Sequence, residues 1–252
     1  MLELKNNGDL LEREYYDSVC SSFSNYQIFW ASFIGNDGNN HLTIILDDEV
    51  ADRRKKLAQL SYTIFESVVS LYRISKKSYK AQDIESYLDI IDNFMLFYCH
   101  LGRIRDCVDQ LGSELNCKVL GKELNGYYWQ RNIVIHGKKI PLTFFDKQVM
   151  FAKLKKNETD SSKNTWHDSL DWDDIHEPNF ESLEVVYTEI YQDIISKLNG
   201  IYSNMISNLK KDPKMSKVYE MMKNAQPVEN KNSPLKNEPS ASNLFVSSSN
   251  NI

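Results

Sequence analysis

Apolar positions recur along most of this chain at spacings of three and four, the repeat that places side chains on one face of a helix. Residues 8–34 predict an aromatic-rich helix carrying Tyr15, Tyr16, Phe23, Tyr26, Phe29, Trp30 and Phe33. The run Gly35-Asn36-Asp37-Gly38-Asn39-Asn40 predicts a turn, and His41 to Leu46 a short strand or extended connector. A second helix spans about Asp47 to Ser75, with Leu57, Leu60, Ile64, Val68 and Leu71 as its core line. A third spans about Gln82 to Leu115, with Ile84, Tyr87, Ile91, Phe94, Tyr98, Leu101, Val108 and Leu111, interrupted by Arg105. A fourth, over 119–136, carries Leu120, Leu124, Tyr127, Arg131 and Val134; Gly137 and Pro141 then end it. Residues 138–179 read as irregular and polar in the middle. Asn179 is placed to cap the last long helix, which carries Leu183, Val186, Ile190, Ile194, Leu198, Ile201 and Met205, and a shorter helical segment follows around Met215 to Lys223.

The order of these elements predicts an all-α antiparallel helical bundle of about four long helices with an extra N-terminal helix. Residues 1–46 form the helix and connector that pack on it, and 47–224 form the bundle. From about Ala225 the chain is rich in Asn, Ser and Pro, so 225–252 is expected to be a disordered tail.

Composition narrows the function classes. Hydrophobic residues make up 41% of the 252 and only 9 Gly and 6 Pro occur, which favours a core of long helices. The net charge of −5 excludes a protein that coats nucleic acid through a broadly basic surface, though not a local basic site. The four cysteines form no Cys-x-x-Cys pair, and Cys99 and Cys107 lie too far apart on one helix for a disulfide, as expected of a cytoplasmic protein. No apolar run approaches a membrane span, so no membrane partner is expected.

The richest chemistry lies in Arg131-Asn132-Ile133-Val134-Ile135-His136-Gly137. Asn125, Trp129, Asn132 and His136 make a second face of the fourth helix. Arg131 falls on its apolar stripe and needs an acidic or phosphate partner. Arg131 and His136 are roughly 140° apart around an ideal helix, so they converge only if the helix end unwinds or the arginine sweeps round. In their bland readings Arg131 is a structural ion-pair partner and His136 a helix C-terminal residue favoured by the helix dipole.

The pattern Arg131, Asn132, three residues, His136, late in a bundle helix, resembles the hallmark of the HEPN superfamily; the Gly-Lys-Lys-Ile-Pro that follows is similar to the motif tail of one of its branches. The likeness over 47–210 is one of helix order. The resemblance implies a metal-independent ribonuclease acting as a homodimer with the two motifs face to face, in a toxin, defence or RNA-processing role, with an antitoxin or nucleotidyltransferase among its partners and no cofactor. His136 would serve as general acid or base. Arg131 would stabilise charge on the phosphate, and Asn132 would hold the phosphate or orient His136. One histidine does not obviously supply both acid and base, which a second copy would remedy. Trp129, Lys138 and Lys139 are the candidate RNA contacts. The superfamily often pairs the Arg with an acid from the preceding helix; the nearest here are Asp106 and Asp109. Lys138 stands where one variant motif carries a regulatory tyrosine.

Lys153, Lys155 and Lys156 read as a solvated cluster. His167 and His176 among Asp168, Asp171, Asp173, Asp174 and Glu177 match no standard ligand spacing, so no metal site is assigned. The competing class is a non-catalytic helical module that binds nucleotide, RNA or a partner protein.

Overall fold

A computed structural model of the chain describes residues 13–35, 48–117, 121–127, 142–145, 147–153 and 179–225. Their architecture is all-α, with one small sheet. Helix α1 covers 13–22 and α2 covers Ser24–Phe29, running on as a π-helical turn over Trp30–Ile34. The long helices are α3 (Asp48–Ser75), α4 (Ile84–Glu114) and α5 (Leu183–Lys211), followed by α6 (Pro213–Ala225). Lys56 near the start of α3 meets Glu114 at the end of α4 (3.2 Å), while Lys77 beyond the end of α3 bonds Asn93 (2.8 Å), so the two run antiparallel. Helix α5 also opposes α3: Arg53 reaches Asp212 at one end and Tyr72 packs on Tyr191 at the other.

The apolar lines expected from sequence fill the core: Leu57, Ile64, Val68 and Leu71 of α3, Phe94, Tyr98, Leu101, Val108 and Leu111 of α4, and Leu183, Val186, Ile194, Leu198, Ile201 and Met205 of α5 are buried. Ile84 is a correction. It is 69% exposed, because the first turn of α4 reaches the core only through the half-buried Tyr87; the buried line there starts at Ile90. Asp83 caps α4 in a reciprocal box with Ser86.

The N-terminal segment is not one helix, as expected over 8–34, but two within its described residues. The hydroxyls of Ser21 and Ser22 bond back to carbonyls in the preceding turn, which bends a helix. At Phe23 the backbone leaves the helical region (φ −107°, ψ 53°). Asn199 of α5 then takes up freed groups: its Oδ1 accepts from the Asn25 amide (3.1 Å), its carbonyl accepts from Asn25 Nδ2 (2.9 Å) and its Nδ2 donates to the Ser22 carbonyl (3.0 Å). The break aims Phe23, Tyr26 and Phe29 at Phe65 and Tyr202, with ring centroids 4.9–5.4 Å apart.

The stretch 138–179, read from sequence as irregular, contains strands. Among the described residues β1 (Leu142–Phe145), β2 (Gln148–Lys153) and β3 (Asn179–Ser182) form one antiparallel sheet in that order. Lys147, at φ 64°, makes the tight turn between the first two. Asn179 therefore sits in β3, opposite Lys153, and does not cap α5; Ser182 does, accepting from the Val185 amide (3.5 Å). The α3–α4 connector joins β2, with the Ala81 amide on the Lys147 carbonyl (2.9 Å) and the Val149 amide on the Tyr79 carbonyl (3.2 Å). The possible strand at 41–46 and the tail after Ala225 lie outside the described residues.

Candidate functional site

The approach to the Arg131 motif is firmly built. Helix α4 ends on Asn116 in the left-handed region (φ 53°), with the Cys117 amide bonding back to the Gly112 carbonyl (2.7 Å). Gly121 then passes against Asp109 of α4 so closely that a Cβ there would lie 2.5 Å from Asp109 Oδ1. The chain turns through a 3₁₀ segment, Lys122–Leu124, and continues helically over 125–127. Leu124 is buried, but in this 3₁₀ turn and not in the α-helix expected from 119, and Tyr127 donates its hydroxyl to Asp193 of α5, which also receives Lys197. Burial pushes the Asp193 carboxyl up, but the bonds from Lys197 and Tyr127 outweigh it and hold it below the usual carboxylate range. Burial and the Asp193 bond push the Tyr127 hydroxyl well up, so it stays a donor.

Trp129, Arg131, Asn132, His136, Lys138 and Lys139 lie outside the described residues, and the chain is described again from Leu142. So do Lys155, Lys156 and the His167–Glu177 stretch; Lys153 ends β2. The two acids proposed as partners of Arg131 are both held by Arg105, at 3.4 Å for Asp106 and 2.7 Å for Asp109. Beside them a groove of about 660 Å³, lined by Arg105, Asp109, Ser113, Asn116, Lys122 and Asn125 among others, runs along the entry to the motif segment.

A second cluster went unremarked in the sequence. A cavity of about 250 Å³ lies where α1, α3 and α4 meet. Tyr15 and Tyr16 come from α1, Glu66, Val69, Ser70 and Arg73 from one face of α3, and His100 and Arg103 from α4. His100 is the one described histidine of the five in the chain. Its Nδ1 is buried and has no hydrogen-bond partner among the described residues. Burial holds its pKa below the ordinary histidine value, and the charges of Arg103 and Arg73 lower it further. Sequence spacing offered one signal, the i,i+3 pair His100 and Arg103; the approach of Arg73 depends on how α3 packs on α4.

Among the described residues no group of three or more His, Cys, Asp or Glu side chains could hold a metal ion, all four cysteines are free, and no helix is long and apolar enough to cross a membrane. No family model, no curated protein and no solved structure matches the chain.

Proposed function

We propose that this chain is a metal-independent RNA endonuclease of the HEPN type, acting in the cytoplasm as a homodimer. The observation that carries the reading is the Arg131-Asn132-x3-His136 spacing in an all-α chain. Two structural facts support it. The segment leading into the motif is held to α4 and α5 by Gly121, Leu124 and Tyr127, and a rigid base is what a positioned catalytic pair requires. The groove beside that segment has the size of a nucleotide site and presents Asn116, Lys122 and Asn125.

In this mechanism an imidazole at His136 takes the 2′-hydroxyl proton, and the 2′-oxygen attacks the adjacent phosphorus. Arg131 neutralises the charge that develops on the phosphate oxygens. The leaving 5′-oxygen takes its proton from the second copy's imidazole, and a 2′,3′-cyclic phosphate remains. Chelators leave the reaction intact and DNA is not cut, because it lacks the attacking hydroxyl. The test is cleavage of single-stranded RNA with chelator present. His136→Ala and Arg131→Ala should each lower the rate by at least about 10²-fold. Undiminished cleavage by a rigorously purified His136→Ala protein would remove the enzyme reading. In its place would stand a helical module that binds nucleotide or RNA without cutting it, a reading favoured by the cationic cavity at His100.

A further inference from the structure

We propose that the cavity between α1, α3 and α4 binds a phosphate group, free or carried by a small molecule, with Arg73 and Arg103 as its principal donors and His100 and Ser70 completing the set. The proposal does not rest on the nuclease reading and is compatible with either function above.

The first ground is charge. Neither Arg73 nor Arg103 has an ion pair or hydrogen bond among the described residues, yet both lie near enough to His100 to act on it electrostatically. Two guanidinium groups and an imidazole thus converge on one cavity with a single lining carboxylate among the described residues, Glu66, which is already bonded to the Tyr62 hydroxyl. The remainder is a local positive charge on a chain whose net charge is −5. Like charges brought together without a counter-charge cost free energy, and an anion removes that cost.

The second ground is geometry. Glu66, Ser70 and Arg73 follow at spacings of four and three on α3, and His100 and Arg103 at three on α4, so the donors stand on two regular helices rather than on loops. The guanidinium fork matches two phosphate oxygens at once, which an ammonium does not. A buried imidazole nitrogen without a partner is a group that a ligand can satisfy. The volume of about 250 Å³ holds a phosphate and part of its carrier, not a duplex groove contact. Tyr15 and Tyr16 close the remaining wall and give a ring or sugar an aromatic surface.

The test is calorimetric titration of the full chain with inorganic phosphate and with adenosine monophosphate, at constant ionic strength set by chloride. Saturable binding is expected, with a dissociation constant of about a millimolar or tighter. Arg73→Ala and Arg103→Ala should each weaken it by about tenfold or more, and Glu66→Gln should strengthen it. Both arginines are exposed helix residues, so their variants should melt like the parent without ligand and remain decisive if His100→Ala misfolds. Tighter binding of the nucleotide than of phosphate assigns the carrier as a nucleotide, and equal binding assigns free phosphate; both sustain the site. Absence of saturable binding with both probes overturns it, as does unchanged affinity in the Arg73→Ala/Arg103→Ala double variant. Loss of binding in Arg131→Ala or His136→Ala, with the Arg73 and Arg103 variants unaffected, moves the phosphate to the nuclease motif and also overturns it.

Discussion

The two ends of helix α3 carry cations of the same kind and treat them in opposite ways. At its N-terminal end Arg53, Arg54 and Lys56 all have partners. Arg53 reaches Asp212 (2.6 Å) and the Glu114 carbonyl (3.0 Å), Arg54 bonds the Phe33 carbonyl (2.9 Å) and the Ile34 carbonyl, and Lys56 meets Glu114. Asp212 in turn caps α6 through the Lys214 and Met215 amides (2.9 and 3.1 Å). One residue, Arg53, thus fastens α3 to the last turn of α4 and the first of α6. At the C-terminal end Arg73 faces Arg103 and His100 with no such partner among the described residues. A paired network positions helices, whereas convergent cations left to solvent are what the proposed phosphate would engage.

The sharpest way to break this contrast is to remove one partner at each end. Arg53→Ala leaves Asp212 with its amide bonds alone and should cost about 1–3 kcal/mol, discounted from the fully buried case because both side chains keep some exposure. That corresponds to a fall in melting temperature of a few degrees to about ten. The Arg73→Ala/Arg103→Ala pair should leave stability within about 0.5 kcal/mol of the parent in ligand-free buffer. A large destabilisation by that pair would show that the cavity is a structural tie like the other end, while an inert Arg53→Ala would show that the N-terminal network is ornamental.

Acid separates the two ends next. Burial raises the Asp212 carboxyl, but the Arg53 bond and the two amides more than offset this and hold it below the ordinary range. Its folded pKa is therefore depressed. Its contribution is full above the unfolded value near 4 and is lost as pH falls through the folded value. Melting temperature should drop below about pH 4, and Asp212→Asn should flatten part of that slope while starting lower at neutral pH. An unchanged slope would assign the acid sensitivity to other carboxylates, of which Asp193 is one held low in the same manner. The smallest expected effect is that of removing residues 226–252, whose Asn, Ser and Pro content gives little apolar surface to bury; the melting temperature should stay the same. A fall of many degrees would dock Leu244, Phe245 and Val246 on the bundle.

What could be read from the sequence was whatever repeats locally. The three-and-four spacing placed α3 and α4 to within two residues and found the buried stripe of α5, whose start it set three residues early, since each buries a continuous stripe. The hairpin escaped because no glycine lies between its strands to mark the turn at Lys147, and those strands are only four and six residues long. Asn179 and Ser182 are both good cap residues, and pairing with β2 chose between them. The break at Phe23 has a local part, the back-bonded Ser21 and Ser22, which are common inside helices, and a distant part, Asn199, which no local pattern announces. The cationic cavity was hidden for the same reason: Arg73 and His100 meet only when α3 lies on α4. The Arg131 motif is the reverse, a local signal whose chemistry depends on placement that its spacing alone does not give.

The asparagine clasp has a consequence for how the chain is made. Asn25 and Asn199 are 174 residues apart, so at about 5–20 residues per second the N-terminal aromatics wait roughly 10–35 s for the helix that covers them. During that interval Phe23, Tyr26, Phe29 and Phe33, all buried in the finished protein, have no Tyr202 to pack on. Nascent chains of this protein should therefore be clients of ribosome-associated chaperones until synthesis passes α5, and chains stalled before Asn199 should be the aggregating species in a cell.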